Sequence, residues 1–219
     1  MNNRQELGIL WDMDGILVDT AELHYRSWKQ TLDEAGIPFD REVFRKTFGM
    51  NNAGILEYLL DEKPDKEFIQ KISDEKERIF RDSVPGNVQP LPGVIPWLIR
   101  LHQGGARMAV ASSAPFANIE VLVKELQIGP YFQAMVSGAN LPGKPDPATF
   151  LEAARQIGVE PARCVVVEDA IAGVQGAIRA GMKSVAVTNT HSRKALSKAD
   201  IVVDSLEELP EDTFNGLVD

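Results

Sequence analysis

Short apolar runs recur along this chain at Leu7–Trp11, Met108–Ala111, Ala134–Val136, Cys164–Val167 and Ser184–Val187. None shows the polar–apolar alternation of a strand with one wet face. A strand of that kind needs cover on both faces, which a parallel sheet flanked by helices supplies. Helical patterns separate the later runs. Ala117–Leu126 stops before Gly129-Pro130, Ala148–Ile157 before Gly158 and Ile171–Ala180 before Gly181, and these glycines suit helix termination. The repetition predicts an α/β fold with a mostly parallel sheet. A length of 219 residues, 44% of them hydrophobic, suits one domain or one domain with a smaller insert.

One region breaks the rhythm. From about Ala21 to Asp82 only helical patterns occur. Leu23, Trp28, Leu32 and Ala35 make one apolar face, and Ile55, Leu56, Leu59 and Leu60 a second. Phe68, Ile69, Ile72, Ile79 and Phe80 make a third, within a segment so charged that its other face must be solvated. The Pro/Gly-rich passage VPGNVQPLPGVIP then returns to the alternating pattern. Residues 16–87 therefore read as a helical insert, and residues 1–15 with 88–219 as the core.

The first strand ends in two acids, Asp12 and Asp14, although each carboxylate raises the cost of ionising the other. Ligands of open parallel sheets bind beyond the carboxyl ends of the strands, and other strand ends carry chemistry too. The Met108 run leads into Ser112-Ser113, the Ala134 run into a loop with Lys144, and the Cys164 run into Glu168-Asp169. Two acids, a hydroxyl, a lysine and two more acids thus meet at one rim. Such an oxygen-rich set suits Mg²⁺ and a phosphoryl group. At an ordinary pKa of ~3.9, Asp12 is expected to be ionised and nucleophilic.

The stretches DMDGILVDT, VASS, GKPDP and VVVEDAIAGVQGAIRAGM resemble the four motifs of the haloacid dehalogenase superfamily. The insert after the first motif resembles its subgroup with phosphoglycolate phosphatase and β-phosphoglucomutase. That resemblance implies a Rossmann-like core with an α-helical cap that closes over substrate. It implies Asp12 as nucleophile, Asp14 as acid and base, and Lys144 and Ser112 as partners of the phosphoryl group. Ser113 would add a backbone N–H, and Gly15 would let the chain turn out of the site. The metal set would be Asp12, Asp14 through its main-chain carbonyl, Glu168 and Asp169. In the cap, Thr20, Glu22, His24 and Trp28 match the β-phosphoglucomutase-like pattern, with His24 and Trp28 as candidate substrate contacts. Trp28 also fits the buried stripe of an amphipathic helix. Arg41, Arg45 and Lys46 read as a solvated face, and His102 and His191 as surface or capping residues.

The expected activity is Mg²⁺-dependent hydrolysis of a small phosphorylated metabolite through an aspartyl-phosphate on Asp12. The alternative is a β-phosphoglucomutase-like phosphomutase acting on a sugar phosphate. The latter must hold two phosphates, yet Ala114-Pro115-Phe116 replaces a polar run after Ser113. Asn51-Asn52, in FGMNNAG, falls where a distal-phosphate arginine is expected. A dehalogenase needs neither Asp14 nor a metal. A non-catalytic binder is expected to have lost a motif residue, and none is lost. The net charge of −9 excludes nucleic-acid and anionic-membrane partners and requires local cations for an anionic substrate. The lone Cys164, in CVVV, reads as a buried core thiol. With no signal-like N-terminus and no apolar run of about 18 residues, the expectation is a soluble, cytoplasmic monomer.

Overall fold

The computed structural model describes residues 6–47, 50–61 and 63–218. The chain falls into two units: Thr20–Asn87, and Val88–Asp219 with the segment ending at Asp19. The core keeps Ile16–Asp19 rather than yielding at residue 15. Val18 bridges both Asp14 and Pro90, and Leu91 N–H donates to the Leu17 carbonyl, so this strip is tied to the core backbone.

In chain order the elements are β1 (Gly8–Trp11), α1 (Ala21–Glu34), α2 (Arg41–Thr47), α3 (Asn52–Leu60), α4 (Lys66–Ser83) and α5 (Val94–Gln103). Next come β2 (Arg107–Ser112), α6 (Phe116–Glu125), β3 (Ala134–Ser137), α7 (Ala148–Ile157), β4 (Cys164–Glu168) and α8 (Ile171–Arg179). The chain closes with β5 (Lys183–Val187), β6 (Ile201–Val203) and α9 (Thr213–Val218).

The core unit is a six-stranded sheet in the order β3-β2-β1-β4-β5-β6, with every pairing parallel. Its strands are buried on both faces, as their unbroken apolar character requires. Leu10, Ala109, Ala111 and Val166 pack with Phe150, Ala153 and Ala177 of α7 and α8. Residues one step along, Ile9, Trp11, Val110, Val165 and Val167, are equally inaccessible. Cys164 is buried as expected, and burial pushes its thiol up to about 12. The order in which the chain adds strands reverses between β1 and β4, where Trp11 pairs with Val167. A crevice at the carboxyl ends of the strands opens at such a switch point.

The helical unit packs α1 and α4 around Trp28, Leu32, Phe39, Ile55, Leu56 and Ile72. Asn51 caps α3 by accepting from Gly54 N–H, and Asp65 caps α4 by accepting from Phe68 N–H, both at 2.8 Å. Among the described residues, no helix is long and apolar enough to cross a membrane.

Candidate active site

Register brings the acids together. Because Trp11 lies beside Val167, the next residues, Asp12 and Glu168, leave the sheet side by side, and Asp12 N–H donates to the Val167 carbonyl at 3.0 Å. Beyond Asp12 the chain turns sharply. Gly15 has φ of +83°, and its N–H donates to the Val18 carbonyl. A Cβ at Gly15 would run into the Asp169 carboxylate, so only glycine lets the two acidic loops approach this closely.

Lys144 joins them. Its ammonium donates to Asp12 Oδ1 at 2.5 Å and to Glu168 Oε1 at 2.6 Å, and it lies 4.9 Å above the Phe150 ring. Glu168, 1% exposed, accepts on its other oxygen from the N–H groups of Asp169 and Ala170. Gly173, in the first turn of α8, leaves room for that carboxylate. Both Glu168 oxygens are therefore engaged. In this geometry it anchors Lys144 and the start of α8. Asp169 is 4% exposed and accepts at Oδ2 from the Thr190 hydroxyl. Ser112, on β2, is buried; its Oγ accepts from Ala114 N–H at 3.1 Å, which keeps its own proton free to donate. Ser113 beside it is exposed.

Among the described contacts, Lys144 pairs with both Asp12 and Glu168, and the charges of Asp14 and Asp169 add to theirs around Asp12. Burial first, and then the neighbouring acids, raise the Asp12 carboxyl well above the usual range, despite Lys144. Asp12 thus lacks the ordinary acidity expected of it. Burial and the Glu168 charge push Asp169 up to about 7 against the hydrogen bond from Thr190. Burial is also the largest influence on Lys144 and favours loss of its proton, but Asp12 and Glu168 outweigh it and hold the ammonium charged. The surplus of buried negative charge fits a dication. Among the described residues, no three His, Cys, Asp or Glu side chains form a ready-made metal cluster. Mg²⁺ does not require one, because it binds through one or two carboxylates and otherwise keeps water or substrate oxygens. Asp12 and Asp169 each retain an oxygen outside these bonds.

A pH dependence follows. An acid raised from 3.8 to about 7 in the fold keeps a proton that the unfolded chain releases. The cation-free protein then binds more protons than its unfolded state in that window, so its stability falls as pH rises through it. A dication held by Asp169 would compete with those protons. Thermal unfolding in EDTA and in Mg²⁺ should differ little near about pH 5 and most near about pH 8. Mg²⁺ stabilisation that is flat across the range contradicts this.

The remaining sequence candidates, His102 and His191 apart, belong to the helical unit. Trp28, 2% exposed, is a core residue there, 6.4 Å from the Phe39 ring. His24 stacks on Phe80 at 4.1 Å, and its Nδ1 lies 2.9 Å from Lys76 Nζ. Lys76 also donates to Glu77, which accepts from Asn52. Thr20 is buried at the start of α1, and Glu22 forms ion pairs with Arg26 and Arg41. Arg41 and Lys46 are exposed and paired with acids, as a solvated face requires. His102 packs edge-on to Tyr131. The sequence reading missed the loop after β5. Asn189, Thr190 and His191 all touch the acidic loops. The strand-end rule that selected the other loops applies equally to this one.

A family model described as haloacid dehalogenase-like hydrolase matches residues 9–187. The β-phosphoglucomutase of Bacillus subtilis (strain 168) is 32% identical over 210 residues, covering 92% of this chain and 90% of that protein. The fructose-1-phosphate phosphatase YqaB of Escherichia coli (strain K12) is 32% identical over 181 residues, 82% of this chain and 95% of its own. A crystal structure of CbbY from Rhodobacter sphaeroides in complex with phosphate superposes with a TM-score of 0.85 at 26% identity, covering 94% of this chain and 96% of that one. Sheet order and rim chemistry define an α/β enzyme whose acidic centre lies at the switch point of a Rossmann-like sheet. The chain belongs to the haloacid dehalogenase-like hydrolases. Within that family, its relatives include a β-phosphoglucomutase and a fructose-1-phosphate phosphatase.

Proposed function

We propose that this enzyme is a Mg²⁺-dependent phosphohydrolase of a small phosphorylated metabolite, working through an aspartyl-phosphate on Asp12. The observation that carries it is the Lys144 ammonium, which holds one oxygen of a buried Asp12 and leaves the other to attack phosphorus. As the new O–P bond forms, the ester P–O bond breaks and its electron pair leaves with the substrate oxygen. Asp14, two residues along, gives that oxygen a proton. It then takes one from a water whose oxygen attacks the acyl phosphate, and the Asp12 carboxylate is regenerated. The Ser112 hydroxyl and Ser113 N–H donate to the phosphoryl oxygens. Asp12, Asp169 and the Asp14 carbonyl would hold the dication, with Glu168 acting through Lys144. Bound there, Mg²⁺ supplies positive charge against the transferring phosphoryl group.

Hydrolysis is favoured over mutation of a sugar phosphate by the helical unit's own bonding. Asn51 is committed to capping α3 and Asn52 to Glu77, so the position expected of a distal-phosphate arginine carries no cation. Nearby Lys76 already faces the Glu77 carboxylate. Trp28's burial leaves His24 as the polar member of the proposed cap contacts. The deciding experiment offers sugar phosphates, phosphoglycolate and pyrophosphate with and without Mg²⁺. It includes β-glucose 1-phosphate with a bisphosphate primer. Mg²⁺-dependent phosphate release supports the reading; glucose 6-phosphate appearing faster than free phosphate replaces it with the mutase.

A further inference from the structure

The loop that follows β5 grips the acidic centre with three consecutive residues. Asn189 Nδ2 donates to the Gly15 carbonyl at 2.6 Å. The Thr190 hydroxyl donates to Asp169 Oδ2, and His191 Nδ1 lies 3.3 Å from the Asp169 carbonyl. The Gly15 Cα, the Asp169 carboxylate and the Thr190 hydroxyl are so close that a Cβ at Gly15 would touch both side chains. The loop itself is fixed from behind. Thr188 N–H donates to the Val203 carbonyl at 3.0 Å, and the Thr188 hydroxyl donates to Asp204 at 2.7 Å. Arg193 reaches both the Val202 carbonyl and Asp204. A hydroxyl on an otherwise exposed loop is thereby held against an almost fully buried carboxylate.

We propose that Thr190 is a positioning residue for the cation site. By taking Oδ2, its hydroxyl fixes the rotation of the Asp169 carboxylate and leaves Oδ1 as the oxygen offered to a dication. Asn189 holds the other side of the same site by fixing the turn after Asp14. The chemistry needs a donor there, because a carboxylate without one is free to rotate away from the dication. Partners of this kind, bonded to a ligand rather than to the metal, change metal affinity by about 10–100-fold when removed. The inference rests on the cation site of the proposed function, and its test reads metal binding without turnover.

Mn²⁺ serves as the probe, because the electron paramagnetic resonance signal of free Mn²⁺ counts what the enzyme leaves unbound. At a fixed neutral pH and without substrate, Thr190→Val should weaken Mn²⁺ binding about tenfold, while Thr190→Ser keeps wild-type affinity. Thr188→Val removes the rear anchor on Asp204 without touching any acid of the cation site and should also bind as wild type. Raising Mg²⁺ should restore most of the Thr190→Val kcat, since ligation and not chemistry is impaired. Thr190→Val with unchanged Mn²⁺ affinity overturns the proposal. So does Thr190→Ser as weak as Thr190→Val, which denies the hydroxyl its role, or Thr188→Val equally weak, which makes general loop integrity the cause. Wild-type enzyme that binds no Mn²⁺ removes the cation site and this inference with it. Normal Mn²⁺ behaviour in an enzyme that releases no phosphate leaves the inference standing and sinks only the hydrolase reading.

Discussion

Asp12→Asn should abolish phosphate release, with a loss of at least ~10⁴-fold in kcat, while the protein keeps its fold. The two side chains have the same shape, and the Asn carbonyl oxygen still accepts from Lys144 where Asp12 Oδ1 does now. What disappears is the anionic oxygen left over from that bond, which no neighbour replaces. Glu168 has both oxygens engaged, and Asp169 Oδ2 is bound to Thr190. A burst of radiolabelled, hydroxylamine-sensitive phosphate on the wild-type chain, absent from Asp12→Asn, would identify the acyl phosphate. Thermal unfolding in EDTA separates chemistry from folding. Burial and like charges both penalise the Asp12 carboxylate, so a neutral isostere should leave the cation-free protein as stable as wild type, or more so above neutral pH. Turnover that survives Asp12→Asn excludes the covalent route.

The sheet and the residues that gather at its rim were legible in the sequence because both rest on local pattern. A strand buried on two faces has to be written in apolar letters, and five of the six were read within a residue of their observed ends. The sixth, Ile201–Val203, pairs through only three residues, too few for a pattern to rise above its surroundings. The helix Val94–Gln103 was hidden by Pro96, which reads as a breaker but sits in the first turn, where an N–H has no helical acceptor to lose. The short helix Arg41–Thr47 contributes one buried residue, so its charges read as a solvated face and its own bounds do not stand out. The inserted unit was legible from its three apolar faces. Its first boundary was not, because Val18 and Leu17 are claimed by single bridges and bonds to Pro90 and Leu91, far along the chain.

At the site, residue types could be read but their electrostatic states could not. Asp12, Ser112, Lys144 and Asp169 announce themselves by lying at strand ends. Their burial, and with it the raised Asp12 carboxyl, depends on how tightly the loops converge. Glu168 shows the same limit. An acid beside an acid invites a metal-binding reading, and only coordinates reveal that Lys144 and two backbone N–H groups have taken its oxygens. Thr190 has no signal except its place after β5. Hydrogen bonds from an exposed loop to a buried acid leave no periodicity behind.

Lys144→Met should have the second large effect, and on two measurements together. Methionine keeps much of the apolar stem and can fill the place of the ammonium over the Phe150 ring, so packing is largely preserved while the charge is lost. Asp12 and Glu168 then share a buried space without the cation that both now contact at 2.5 and 2.6 Å. Removing one partner of a buried ion pair costs about 3–5 kcal/mol, because the charge left behind is unsolvated. That cost is avoidable when the acid takes up a proton, which Asp12 is already biased to do. The destabilisation should therefore be largest in EDTA at about pH 8 and shrink toward about pH 5; Mg²⁺ should recover part of it. Activity should fall about 10³-fold even at saturating Mg²⁺, since a general cation does not replace an ammonium aimed at the nucleophile. Lys144→Arg should rescue stability better than activity, because a planar fork offers charge without the same single point of contact. If Lys144 served only to pack its loop, the loss of stability in Lys144→Met would be independent of pH and of Mg²⁺, and turnover would survive. Unfolding curves at the two pH values, with and without the metal, decide between the two.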